Sequence, residues 1–188
     1  MNITRTNPAG IDLYIQKLQT KLHDTLVGAN YWNLSDQSQY RAYGRCYRNK
    51  TDDGYVAENY ESAGEYKEVY WSDELAAVSF FGISNNVKTG EADVHLVFFA
   101  NLDKLALKDT EGDVVTHRAD EELRLMVQRI IGKSAHGFQY ESTELWIENV
   151  LREYPGSRRD ARLKAVDMHP VHCFRINLKL LYNPNKIC

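Results

Sequence analysis

Four prolines in 188 residues leave no Pro-rich linker, and no repeat or low-complexity tract divides the chain. The three cysteines, Cys46, Cys173 and Cys188, are odd in number and widely spaced. That excludes a disulfide framework and makes reduced thiols the default. No run approaches the roughly 18 apolar residues of a membrane span. Met1-Asn2-Ile3-Thr4-Arg5 lacks the apolar core of a secretory signal. An excess of one charge is missing too: 23 Lys and Arg against 26 Asp and Glu give a net charge of −3. Nothing basic marks the chain for nucleic acid or for an anionic membrane. Short catalytic signatures are absent: no G-x-S-x-G, no G-x-x-x-x-G-K-[ST], no G-x-G-x-x-G, no H-E-x-x-H. The expectation is one soluble, intracellular-type domain over residues 1–188 that is not an enzyme and needs no cofactor.

What is present is tyrosine, 12 copies, alongside 6 Phe and 3 Trp. Tyr and Trp join a large apolar area to a polar tip, which suits half-buried contact surfaces as well as cores. Apolar residues at three- and four-residue steps, Ile11, Ile15, Leu18, Leu22 and Leu26, predict a helix over Gly10 to Val27. Gln39 to Arg48 reads as a strand with Tyr43 and Tyr47 on one face and Ala42, Gly44 and Cys46 on the other. Tyr55 to Tyr60 and Glu65 to Trp71 flank Gly64 and predict a hairpin or projecting arm, an insertion at about 53–74. Leu75 to Ile83 and Glu91 to Ala100 are strands parted by Ser84-Asn85-Asn86 and Gly90, and the second is apolar on both faces, hence central. A polar connection over Asn101 to His117 leads to a helix over Arg118 to Ile131, with Leu123, Val127 and Ile130 as its stripe. A third helix is predicted over Ser142 to Arg152, burying Trp146, Ile147, Val150 and Leu151. In the closing strand, His172 to Tyr182, Phe174, Ile176, Leu178, Leu180 and Tyr182 face the core. Cys173, Arg175, Asn177 and Lys179 face water or a partner. Bunched helices and hairpin links make this α+β, with an antiparallel or mixed sheet packed against helices.

Three constellations bear on chemistry. His169, His172 and Cys173 are metal-ligating types, but zinc wants about four ligands in a closed site or three in an open one. Adjacent His172 and Cys173 would face opposite sides of a strand, so the run reads as the plain start of that strand and no metal is expected. Paired carboxylates at Glu58, Glu61, Glu65, Glu68, Asp73 and Glu74 suit a solvated ribbon better than an acid–base cleft. With Tyr55, Tyr60, Tyr66, Tyr70 and Trp71 interleaved, that ribbon is also a candidate contact surface. Arginines gather at Arg41, Arg45 and Arg48 and, with Lys164, at Arg158, Arg159 and Arg162. The guanidinium fork suits carboxylate or phosphate, so these fit either acidic ribbons across a subunit interface or DNA. Two readings remain beside these: a small non-catalytic adaptor binding DNA or protein, with Arg158, Arg159 and Arg162 as its DNA contacts, and an unfamiliar enzyme using carboxylates near His95 or His117.

Three segments resemble tail-completion and tail-terminator-type proteins from the neck of tailed phages: Ile11 to Gln19, Ala92 to Ala100, and Phe174 to Tyr182. Gly64-Glu65-Tyr66-Lys67-Glu68-Val69 is similar to segments in phages of Bacteroidetes, including crAss-like ones. The resemblance implies a tail-terminator-like α+β subunit of the virion, assembled in the host cytoplasm into a homo-oligomeric ring at the head-to-tail junction. Portal, connector or tail proteins would be its partners, with DNA passing through the lumen and no membrane involved. It brings no catalytic residues. The interface candidates are Tyr55, Tyr60, Glu65, Tyr66, Glu68, Tyr70, Trp71, Arg158, Arg159, Arg162, Arg175 and Lys179.

Overall fold

The computed structural model describes residues 1–28, 32, 34, 36–60, 64–69, 71–105, 119–134, 137–159 and 169–184. Strand β1 (Asn2–Ile3) precedes helix α1 (Ile11–Gly28), followed by β2 (Tyr40–Thr51), β3 (Gly54–Tyr60) and β4 (Tyr66–Glu68). Next come β5 (Ala77–Lys88), β6 (Glu91–Asn101), the one-turn α2 (Leu102–Leu105) and α3 (Ala119–Gly132). The chain continues with β7 (Phe138–Glu144), a one-turn α4 (Ile147–Val150), a 3-10 turn at Pro155–Arg159, and β8 (Val171–Leu181). The sheet order is β4-β3-β2-β5-β6-β8-β7, with β1 beside β2. The β1·β2 and β2·β5 pairings are parallel and the rest antiparallel. The fold is therefore α+β with a mixed, mostly antiparallel sheet. No described helix is long and apolar enough to cross a membrane.

Alternation along the strands builds a core on each face. The first joins Ile15, Leu18, Leu22 and Leu26 of α1 and Leu123, Val127, Ile130 and Ile131 of α3 to Val94, Leu96, Phe98, Phe174, Ile176, Leu178 and Leu180. The second joins Val97, Phe99 and Cys173 to Trp71, Val150, Leu151 and Tyr154. The helical stripes read from the sequence are the buried ones, because a three-to-four-residue apolar step leaves a helix one way to lie on a sheet. Gln19 pins α1 in place: its Nε2 lies 2.9 Å from Ala42 O and 2.8 Å from Ile3 O.

The structure departs from the sequence reading at several points. The register of β2 shifts between Ala42 and Arg45. A bulge inserts one residue, so Ala42 joins the first core and Cys46 the second, not the same face. Ser84-Asn85-Asn86 is no turn: β5 runs through it with a register irregularity, and the turn falls at 89–90. The third helix is not formed as predicted. Residues 138–144 pair with β8 from Phe138↔Leu180 to Glu144↔Arg175, leaving one helical turn at Ile147–Val150. Backbone pairing with an open strand edge outweighs helix propensity there. Trp146, predicted buried, is 65% exposed.

Candidate functional site

Hairpin β3–β4 does not stand clear of the sheet but forms its margin, with Ala57, Val69 and Trp71 packed into the second core. On its other face Tyr60 pairs with Tyr66 and Glu58 with Glu68. Tyr66 is 52% and Tyr60 36% exposed, their ring centroids 5.2 Å apart in an edge-on arrangement. Tyr47 meets Tyr66 edge-on at 5.8 Å. Arg5 lies 5.2 Å from the Tyr47 centroid and 5.6 Å from that of Tyr60, and Arg45 lies 4.7 Å from Tyr47. Both guanidinium groups pair with Asp12 near the start of α1, and Arg5 Nη1 also sits 3.0 Å from Tyr47 Oη. The result is a Tyr/Arg surface, stiffened from beneath by Asp12 and edged by Glu58 and Glu68. Sequence reading found Tyr60, Tyr66 and Glu68 but missed Tyr47, which the β2–β3 pairing sets beside the hairpin, and Arg5 and Asp12, which meet Tyr47 once α1 docks.

The other interface candidates scatter. Tyr55 lies on the opposite face by alternation, with Arg48 Cζ 4.2 Å from its ring centroid. Glu65 is exposed, 4.0 Å from Lys67 Nζ. Lys179 sits towards the opposite margin, 3.4 Å from Glu91 and 3.7 Å from Glu141. Trp71 is a correction: it is a core residue, its ring 6.4 Å from that of Phe99, because the chain after β4 folds under the sheet. Tyr70, Arg162, Lys164 and His117 lie outside the described residues, as do the side chains of Arg158 and Arg159.

Arg175 is a second correction. It is 0% exposed and lies inside the chain, not on its surface. The face assigned to it is right, but the segment from α4 to the 3-10 turn covers that face. Its guanidinium makes a two-bond pair with Glu153, one bond being Nη2 to Oε1 at 2.9 Å. Its Nε donates to Asn177 Oδ1 at 2.7 Å. Asn177 Nδ2 donates to Glu144 Oε1 at 2.6 Å, and Arg152 Nη1 to both Glu144 oxygens at 2.8 Å. Arg152 Nε reaches Glu153 at 3.3 Å and closes the ring of contacts. Burial would raise the Glu153 pKa, but Arg175, His95 and Arg152 together outweigh burial and hold the carboxyl down at about 2.

Beside this ring runs a cross-strand row, Gly82↔His95↔Asn177↔Ser142. His95 is 1% exposed, its Nε2 3.1 Å from Tyr154 Oη. Burial first, then the Arg175 charge, lowers its pKa to about 3, so the ring is neutral at physiological pH. His95 and nearby carboxylates do come together here, but His95 is engaged by Tyr154, and Glu153 and Glu144 by Arg175, Arg152 and Asn177. Gly82, opposite His95 in that row, has a packing role. A Cβ there would collide with His95 Nε2 and Tyr154 Oη. Gly82→Ala is expected to destabilise the fold by about 1–3 kcal/mol, the usual cost of overpacking. Denaturant titration with circular dichroism checks this, and adding Tyr154→Phe, which removes the hydroxyl in the way, should recover part of the loss.

His172 Nε2 is 3.0 Å from Arg124 Nη1, while Cys173 is buried in the second core, so adjacent residues do face opposite sides of β8. Among the described residues no three His, Cys, Asp or Glu side chains are grouped to hold a metal ion. An open groove of about 390 Å³ runs along the outer face of α1. No family model, curated protein or solved structure matches the chain.

Proposed function

We propose that this chain is a non-catalytic structural subunit of the head-to-tail junction of a tailed phage. In this reading it forms a homo-oligomeric ring around the DNA channel and bears on portal, connector or tail proteins. The observation that carries the assembly part is the Tyr/Arg surface at the β3–β4 margin. It offers large rings held in fixed positions, the chemistry in which interface hot spots are rich. The phage assignment rests on the sequence resemblance alone.

The sheet margins argue for contact through side-chain faces, not through added strands. Strand β4 is three residues long, and β7 carries a register irregularity between Tyr140 and Ser142 together with Glu141 and Glu144. Short, bulged and charged edges discourage pairing with another chain. Size-exclusion chromatography with light scattering and negative-stain imaging test the proposal. Closed rings are expected, and Tyr60→Ser with Tyr66→Ser should weaken assembly at least tenfold without altering the circular dichroism spectrum. A wild-type chain that stays monomeric alone and with neck proteins would sink it.

A further inference from the structure

Ile147 to Ser157 lie across the second core as a strap, one helical turn followed by the start of the 3-10 turn. Where the chain enters it, Leu145 packs against the first core and Ile147 against the second, so Trp146 turns around the sheet margin. The Trp146 backbone, φ 71° and ψ 131°, lies where a residue with a side chain is strained. The strap puts Val150, Leu151 and Tyr154 into the core. It does not fill its seat. A void of about 10 Å³ remains between Leu151, Ser157, Ala57, Val69, Trp71 and Phe80, room for about one water. Ser157 Oγ is buried beside it, without a hydrogen-bond partner among the described residues. A void and an orphaned hydroxyl both weaken a packed surface.

Polar contacts hold the strap down, and they form a charge balance. Arg175 and Arg152 face Glu153 and Glu144, two cations against two carboxylates. His95 lies against this group, its Nε2 3.1 Å from Tyr154 Oη and its Nδ1 3.5 Å from Ser84 Oγ of β5. Arg175 and Arg152 oppose a charge on the imidazole, and Glu153 favours one. Across β8 and β7 the row continues with the neutral Asn177 and Ser142. Asp93, two residues along β6, sits opposite Lys179, which Glu91 and Glu141 also hold. On β2, Cys46 and Arg48 act on Tyr154. A proton on His95 is therefore a third cation in a balanced, buried group. The ring has no room to move away, because Gly82 brings β5 against it.

We propose that the strap opens on acidification: protonating His95 lifts Ile147 to Ser157 off the second core, turning at Trp146, while the first core stays folded. The first core lies on the other face of the sheet and takes none of its described residues from the strap. Lifting Tyr154 lets water reach the imidazole, which then titrates near the ordinary 6.5 in place of about 3. Glu153, held down at about 2, stays charged at pH 4.5 and above, so loss of its pairing does not start the opening. Above pH 6.5 the proton is absent from both forms and the strap stays shut. Below it, the open fraction grows about tenfold per pH unit. A ring of copies is not needed for this opening, and a single chain shows it.

Cys173 reports the opening, since it is buried with Val150 and Leu151 in the second core. Its labelling by 4,4′-dithiodipyridine, a disulfide that reacts with thiols in acid, is followed by peptide mass from pH 7.5 to 4.5 against free cysteine at each pH. The ratio of the two rates is expected to rise about tenfold per unit below pH 6. Hydrogen–deuterium exchange, corrected for its intrinsic pH dependence, should show Val150 and Leu151 losing protection in step while α1 and α3 keep theirs. His95→Gln should flatten the rise. A flat ratio in the wild type, or an equal rise in a His95→Gln chain, overturns the proposal. So does exchange in α1 and α3 that rises together with that of the strap, because the chain then unfolds as a whole. Wild-type labelling and exchange decide the matter if His95→Gln does not fold.

Discussion

Replacing Arg175 with Ala is expected to cost about 3–5 kcal/mol, the range for breaking a buried ion pair by removing one partner. Arg175 is fully buried, and both its pairing with Glu153 and its bond to Asn177 would be lost at once. The Glu153 carboxylate would remain half covered, and Asn177 would lose the donor that orients it towards Glu144. Against a typical domain stability of about 5–15 kcal/mol, this brings the chain close to unfolding. Urea titration measures it: the midpoint should drop at an unchanged slope. The paired variant Arg175→Met with Glu153→Leu distinguishes a lost partner from a lost volume. An apolar pair of similar size often replaces a buried ion pair at little cost, so the double variant should lie far above Arg175→Ala. An Arg175→Ala chain within about 1 kcal/mol of wild type would show that the ion pair is not the clamp its burial implies.

Lowering the pH is expected to destabilise the protein well before its carboxylates titrate, and His95 is the cause. Its pKa falls from the ordinary 6.5 to about 3 in the fold. Above pH 6.5 the ring is neutral both folded and unfolded, so the shift costs nothing. Between 6.5 and 3 the unfolded chain takes up a proton that the folded chain refuses, so stability is lost as pH falls. The loss by pH 4.5 is roughly 3 kcal/mol, one proton acting over about two pH units. Below that, Glu153 adds to it. Its pKa is depressed from 4.5 to about 2, so stability present above 4.5 is lost as pH falls towards 2. Stability measured from pH 7.5 to 4.5 should slope downward towards acid, and His95→Gln should flatten that slope whatever it does to absolute stability. An unchanged slope in the variant would assign the acid sensitivity to another group.

Both predictions concern a cluster that the sequence showed only in part. Alternation in the closing strand correctly put Cys173, Arg175, Asn177 and Lys179 on one face, because a strand has a period of two. It could not say what covers that face. The first part of the cover, up to Arg152, was read as the end of a helix that mostly does not form, since Phe138 to Glu144 pairs with β8 instead. Arg175 therefore moved from surface candidate to buried clamp. Gly82 shows the same limit: nothing nearby in sequence reveals that residues 95 and 154 converge on it.

The Tyr/Arg surface was more legible. Tyr60, Tyr66 and Glu68 were readable as one face of a hairpin, because Gly64 and the flanking alternation define register locally. Arg5, Asp12 and Tyr47, which stiffen that face, are far apart in the chain and meet only through the packing of α1 on β2. Trp146 was read as core because it is large and apolar, and only the crossing of the chain from one face of the sheet to the other turned it outward.

By itself the sequence determined the α+β class, the apolar stripes of α1 and α3, the doubly buried β6 and the core side of β8. These depend on local periodicity, which the backbone geometry of helix and strand imposes residue by residue. The tertiary structure alone decided which polar faces are covered, where β2 and β5 shift register, and that residues 138–144 form a strand. Those outcomes depend on competition between distant segments for the same strand edge and the same buried surface, and no local pattern encodes who wins.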